Sequence, residues 1–224
     1  MRSRGATVLK LVALDMDGTL VDVASSWAAI HHHFQDHNAD GLRDFLAGRI
    51  DDHEFIRTDV RIWQRHLPEL RVEDLEAILA RVPLMPGAST LIAGLKARGV
   101  RTAIVSGGID LLAHRIAREL GIDLTLANGF RVTADGRLTG EGIVRVPIKG
   151  KEGVLAGLQH QLGTTIEETA SVGNSEIDVG LFHRSRMGVA FLPEDEAVRR
   201  AATRVVTQKD LGLVLDALRE FSDS

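Results

Sequence analysis

Leu11-Val12-Ala13-Leu14 is an apolar run that stops abruptly at Asp15-Met16-Asp17-Gly18-Thr19. A short apolar run ended by turn residues predicts a buried parallel strand. Ligands in open α/β sheets bind beyond the carboxyl ends of such strands. Residues i and i+2 of a strand share a face, so Asp15 and Asp17 can converge on one point at the strand tip. Carboxylates that close repel each other unless a cation sits between them, which points to a bound divalent metal. Gly18 permits a sharp turn, and Thr19 offers a hydroxyl. A surface turn with two solvated acids would carry the same letters, so the rest of the chain must decide.

Three later segments argue against that plain turn. Arg101 to Val105 reads as a second strand, ended by Ser106-Gly107-Gly108. A helical pattern follows at once (Ile109, Leu112, Ile116, Leu120), which predicts that the glycine amides and Ser106 form an anion site at a helix N-terminus. Lys149 and Lys151 precede another helical pattern, Val154-Leu155-Leu158-Leu162, and either could deliver a compact positive charge to a phosphate. A strand over 169–172 then stops at Asn174-Ser175-Glu176-Ile177-Asp178, a turn rich in oxygen ligands.

Strand and helix patterns alternate from Gly87 onward: helix 88–98, strand 100–105, helix 109–120 and a strand near 123–127. A hairpin about Asp135-Gly136 comes next. The rest reads as helix 151–162, strand 169–172, helix 176–184, strand 187–191, a short helix from Glu194, strand 203–206 and helix 209–220. This rhythm predicts an α/β fold with a doubly wound parallel sheet. Residues 23–83 show no strand signal but several amphipathic helical stretches, with Pro68, Pro83 and Pro86 as breaks. The expected organisation is a Rossmann-like core from 1–21 and 85–224, with a small helical cap inserted at 22–84.

A chain of 224 residues suits a core domain that carries an insertion. Cysteine is absent, which excludes a disulfide framework, a thiolate metal site and a cysteine nucleophile. The net charge of −4, with both signs interspersed, argues against nucleic acid as a partner. The N-terminal Arg2, Arg4 and Lys10 precede an apolar run too short for a signal peptide or a membrane span, so a cytoplasmic protein is the expectation.

The order of motifs, Asp15-x-Asp17-Gly-Thr, then Ser106, then a lysine, then the turn from Asn174 to Asp178, resembles the haloacid dehalogenase-like superfamily. The likeness runs from about Val8 to Leu218. Leu84-Met-Pro-Gly, Leu126-Ala-Asn-Gly-Phe-Arg-Val and Asp135-Gly-Arg-Leu-Thr-Gly look like its phosphoserine phosphatase branch. The resemblance implies a phosphomonoesterase acting on a small phosphorylated metabolite with Mg²⁺ as cofactor. It implies that Asp15 attacks phosphorus to form an aspartyl-phosphate and that Asp17 acts as general acid and then base. Ser106, Gly107 and the lysine would hold phosphate. Mg²⁺ would lie among Asp15, Asp17, Asn174 and Asp178. The family helix register favours Lys151 over Lys149.

Two departures matter. The acidic turn usually opens with Asp where this chain has Asn174, so one metal-facing charge is lost, with Glu176 and Asp178 as candidate compensation. Phosphoserine phosphatases carry a cap Glu seven residues after the second Asp, and here that residue is Ala24. The cap arginine that grips the serine carboxylate has no clear match, although Arg57 and Arg61 lie nearby. Phosphoserine is therefore a poor expectation. A phosphotransferase or phosphomutase on the same chemistry, and a non-catalytic binding protein, remain as alternatives, and a homodimer is allowed. His31-His32-His33 with His37 could bind a metal, but consecutive helix residues point in different directions and only His33 and His37 share a face, so no functional site is expected there. Trp27 and Trp63 read as cap core, and Arg199-Arg200 as a solvated helix face.

Overall fold

Alternate residues of β1 (Leu11–Leu14) enter two different cores, Val12 and Leu14 on one side, Leu11 and Ala13 on the other. A strand buried on both faces belongs at the centre of a layered sheet. The computed structural model describes residues 8–222, so Arg2 and Arg4, and the leader reading attached to them, lie outside the described residues. After β1 come four helices, α1 (Ser26–His33), α2 (Ala39–Leu46), α3 (Asp52–His66) and α4 (Val72–Leu79). The chain then alternates through α5 (Ala88–Ala97), β2 (Arg101–Ile109), α6 (Asp110–Leu120), β3 (Leu124–Val132) and β4 (Leu138–Ile143). It closes with α7 (Lys151–Leu162), β5 (Thr169–Gly173), α8 (Val179–His183), β6 (Met187–Phe191), α9 (Glu196–Ala201), β7 (Arg204–Val206) and α10 (Gly212–Arg219).

The strands form one sheet in the order β4-β3-β2-β1-β5-β6-β7, parallel except where β4 runs against β3. From β1 the chain winds first toward β2 and β3 and later toward β5, β6 and β7. The order therefore reverses at β1, and a crevice opens at the carboxyl ends of β1, β2 and β5. Leu14 pairs with Ile104 on one side and Val172 on the other, which brings Asp15, Ser106 and Asn174 to that crevice. The fold is the doubly wound α/β sheet with an inserted helical cap that the sequence predicts.

The hairpin strand β4 leaves the core to pack on the cap. Leu138 N–H donates to the Leu70 carbonyl, Val72 N–H to the Gly136 carbonyl, and Arg57 pairs with Glu141. Phe130 sits edge-on to both Trp27 and Trp63, whose rings stack at 6.0 Å. Trp63 is fully buried, as a cap-core residue should be. Trp27 instead lines the crevice, and its Nε1–H donates to the Gly107 carbonyl at 3.1 Å. Among the described residues no helix is long and apolar enough to cross a membrane.

One predicted boundary is corrected. β2 does not stop at Val105 but runs through Ser106-Gly107-Gly108 to Ile109, with a register break against β3. Gly108 N–H is taken by Ser106 Oγ at 3.1 Å and Ile109 N–H by Ser26 Oγ at 3.0 Å. These amides thus lie on a bulged strand end that runs directly into the N-cap of α6 at Ile109. A bulge here needs glycine: a Cβ on Gly108 would lie 2.7 Å from Asp17 Oδ2 and from Ser26 Oγ.

Candidate active site

Asp15 follows β1 directly, is almost fully buried, and its N–H donates to the Val172 carbonyl of β5. Lys151 is the first residue of α7 and is also buried. A lysine in the first turn opposes the helix dipole, so its place there needs another cause. That cause is a pair of carboxylates: Lys151 Nζ lies 2.6 Å from Asp15 Oδ1 and 2.6 Å from Asp178 Oδ1. Lys149 is exposed, so only Lys151 enters the cluster. One ammonium cannot neutralise two carboxylates. Burial, reinforced by Asp178, accordingly pushes the Asp15 carboxyl up to about 7 against the pull of Lys151. Burial also works against the Lys151 charge, but the two carboxylates outweigh it and raise its proton affinity.

Asp17 is organised by the cap. Its Oδ2 accepts from Ser26 N–H and from Ser26 Oγ, both at 2.8 Å, while its buried Oδ1 has no partner. Burial raises the proton affinity of Asp17 above the ordinary carboxyl value, partly offset by those two bonds. Gly18 turns the chain at φ +71°, and a Cβ there would lie 2.5 Å from Asn174 Nδ2. The Asp-x-Asp-Gly sequence therefore needs its glycine for both backbone and space.

Asn174 is buried at the end of β5. Its Nδ2 donates to Glu194 Oε1 at 3.1 Å, and the Glu194 N–H returns a bond to the Asn174 carbonyl at 2.9 Å. The amide oxygen accepts from Thr19 Oγ1 at 3.5 Å. Because Glu194 can only accept when ionised, it fixes the amide's orientation. Asp178, also expected among the metal ligands, is engaged at both oxygens. Its Oδ1 is held by Lys151, and its Oδ2 accepts from Asn174 N–H, Ser175 N–H and Ser175 Oγ. Only Oδ2 builds the turn, while Oδ1 shares the lysine with Asp15. Glu176 is exposed, so the compensating carboxylate beside Asn174 is Glu194.

Asp15, Asp17, Ser106, Gly107, Lys151 and Asn174 all line a single cavity of about 700 Å³ between core and cap. Among the described residues no group of three or more His, Asp or Glu side chains forms a ready metal cage. The oxygens that could hold a cation are an Asp15 carboxylate oxygen, the Asp17 carbonyl and the Asn174 amide oxygen. This all-oxygen set with excess negative charge suits a hard divalent cation that keeps several waters.

Residues 12–183 match the haloacid dehalogenase-like hydrolases. The chain belongs to that family. It is 27% identical over 218 residues to a phosphoserine phosphatase of Methanocaldococcus jannaschii, covering 94% of this chain and 98% of that protein. It is 30% identical over 208 residues to a phosphoserine phosphatase of Streptomyces coelicolor, covering 92% of this chain but only 49% of that longer protein. A solved structure of a phospho-aspartyl intermediate analogue of phosphoserine phosphatase superposes with a TM-score of 0.77 at 26% identity, covering 94% of this chain and 99% of that one.

The motifs do not mark two residues of the site. Ser26 carries Asp17, and Glu194 carries Asn174; neither lies in a recognisable spacing. Ser25-Ser26 ahead of an apolar helix does signal an N-cap, and Ser25 Oγ accepts from Ala28 N–H. That Ser26 then turns to Asp17 is set only by packing. His31 is buried, its Nε2 2.7 Å from Asp59 Oδ1 and its Nδ1 accepting from Trp63 Nε1–H, so it belongs to a cap network.

Proposed function

We propose that the chain is a Mg²⁺-dependent phosphomonoesterase that works through an aspartyl-phosphate on Asp15. The observation that carries this reading is a division of labour between two carboxylates in one cavity. Asp15 has Oδ1 held by Lys151, which leaves its second oxygen to attack phosphorus. Asp17 has Oδ1 unpartnered and a raised proton affinity, as a group that must give up a proton requires. As the P–O bond to the alcohol breaks, Asp17 protonates the departing oxygen. Asp17 then takes a proton from the water that attacks the aspartyl-phosphate, and inorganic phosphate leaves with Asp15 restored. Ser106 Oγ, already accepting from Gly108 N–H, keeps its own proton free for a phosphate oxygen, and Lys151 adds positive charge. A bound Mg²⁺ would offset the charge of the phosphate and of Asp15. Its ligands would be Asp15, the Asp17 carbonyl and the Asn174 amide oxygen.

The purified protein should release phosphate from a generic aryl phosphomonoester with Mg²⁺ and stop when the metal is chelated. In the same assay phosphoserine should rank low, because Ala24 provides no charge for its ammonium. Arg57 and Arg61 cannot take its carboxylate either. Arg57 is committed to Glu141 and Glu54, Arg61 lies beside Glu54, and neither lines the cavity. Phosphoserine at the head of a substrate panel would refute this, and Ala24→Glu should improve it selectively.

Metal affinity is expected to depend on the Asn174–Glu194 pair. Asn174→Asp should tighten Mg²⁺ by roughly 1–3 kcal/mol, about 5- to 150-fold, since a full charge replaces a dipole but must also be desolvated. Glu194→Gln should weaken it roughly tenfold, because glutamine can donate as well as accept and lets the Asn174 amide turn. In the Asn174→Asp background Glu194→Gln should lose most of that effect, as no amide remains to be oriented. Calorimetric titration of the four proteins with Mg²⁺ decides this. Independent, additive effects would place Asn174 away from the metal.

A further inference from the structure

Above its charged floor the cavity changes character. The cap contributes Trp27 from α1, Leu42, Phe45 and Leu46 from α2, and Phe55 from α3, while Ile177 faces them from the core. Phe45 and Phe55 stack at 5.2 Å within that wall. Leu42, Leu46 and Ile177 are 47%, 60% and 42% exposed and stand at the cavity, an unusual concentration of bare apolar surface around a site for charged phosphate.

The acidic groups in the same wall are already engaged. Asp59 accepts from Asn38 Nδ2 at 2.8 Å and pairs with His31, Asp36 pairs with His66, and Glu194 is bonded to Asn174. Among the described residues no arginine lines the cavity and Lys151 is its one lysine. A substrate carboxylate, or a second phosphate, would find no cation there beyond the histidines. The volume of about 700 Å³ lies within the range of about 300–1,000 Å³ that encloses drug-sized ligands, far more than a three-carbon phosphoester fills.

We propose that the substrate is a phosphomonoester of a neutral, chiefly apolar alcohol, and that α2 supplies the surface that selects it. The inference rests on the phosphomonoesterase reading for the phosphate end. It adds what the other end must be: a hydrocarbon or aromatic body that covers Leu42, Leu46 and Ile177 when bound, with no ammonium and no carboxylate.

A series of n-alkyl phosphates from ethyl to hexyl tests this, because the leaving oxygen is chemically alike throughout and only buried apolar area grows. We expect kcat/KM to rise roughly two- to fourfold per added methylene. Ethanolamine phosphate, glycerol phosphate and phosphoserine should fall below hexyl phosphate by at least tenfold. Leu46→Asp, an exposed position that tolerates charge without unfolding, should cut the hexyl-to-ethyl ratio at least fivefold. A flat or falling series, or a preference for the charged or polyhydroxy esters, would overturn the inference while leaving a phosphatase. Calorimetric affinities of the same alkyl phosphates for the Asp15→Asn protein report the wall without chemistry. If nothing is hydrolysed, the phosphomonoesterase reading fails, and a chain-length slope in those affinities still supports the apolar wall, whereas equal affinities refute it.

Discussion

Asp15→Asn is expected to lower phosphomonoester turnover by roughly 10³-fold or more, because an amide cannot form the covalent ester with phosphorus. The same change should have an opposite effect on stability. Asp15 holds its proton more tightly when folded than the ordinary carboxyl, about 7 against 3.8, through burial and the nearby Asp178. Such a group adds stability that is fully present below the unfolded value and is lost as pH rises through the folded one. At pH 8 without metal the native protein therefore carries an ionised Asp15 against its environment, and Asn removes that charge. A gain of about 1–3 kcal/mol should remain after allowing for the weaker Lys151–amide bond. Thermal melts of both metal-free proteins should show Asp15→Asn higher at pH 8, with the gap closing toward pH 4. Saturating Mg²⁺ should raise the parent more than the variant. Residual turnover within tenfold of the parent would exclude the aspartyl-phosphate route, and a variant that melts lower at pH 8 would contradict the charge argument.

Lys151→Ala should be damaging in both respects. Its removal leaves Asp15 and Asp178, both buried and both 2.6 Å from the lysine, without a compensating cation. Breaking a buried ion pair from one side typically costs about 3–5 kcal/mol, which for a chain of this size is a Tm drop of about 6–20 °C. Lys151→Met keeps most of the volume and should fail similarly, which separates lost charge from lost packing. The loss should shrink at pH 5, where Asp15 can take up a proton, and on addition of Mg²⁺. Melts at the two pH values check it. A Lys151→Ala protein within about 2 °C of the parent at pH 8 would mean that the lysine does not hold the cluster.

The strand–helix order could be read because hydrophobic periodicity is a local property. Each apolar run ended by Asp, Ser-Gly-Gly or Gly-Asn is written in adjacent letters, and the sheet order then follows from winding to either side of β1. Asp15 and Asp17 were legible for the same reason, since both follow one strand. The helix register that favours Lys151 over Lys149 is also local, and Lys151 is the one that reaches Asp15. The reach of the strand through Ser106-Gly-Gly is not legible in the sequence. Glycine breaks helix and strand patterns alike, and only the pairing of Ile109 with Asn128 of β3 shows that β2 continues to Ile109.

What the sequence by itself determined is the doubly wound sheet, the insertion above it and the identity of the charged residues at the strand tips. Tertiary structure alone decided which of their atoms remain free. Asp178 spends both oxygens on Lys151 and the turn, Asp17 keeps one oxygen because Ser26 takes only the other, and the Asn174 amide is turned by Glu194, 20 residues away. Arg57 is withdrawn from the cavity by Glu141, 84 residues distant. The physical reason is range. Burial patterns repeat every two or three to four residues and show in any short window, whereas a hydrogen bond between side chains depends on ångström-scale approach of segments whose separation the letters do not encode.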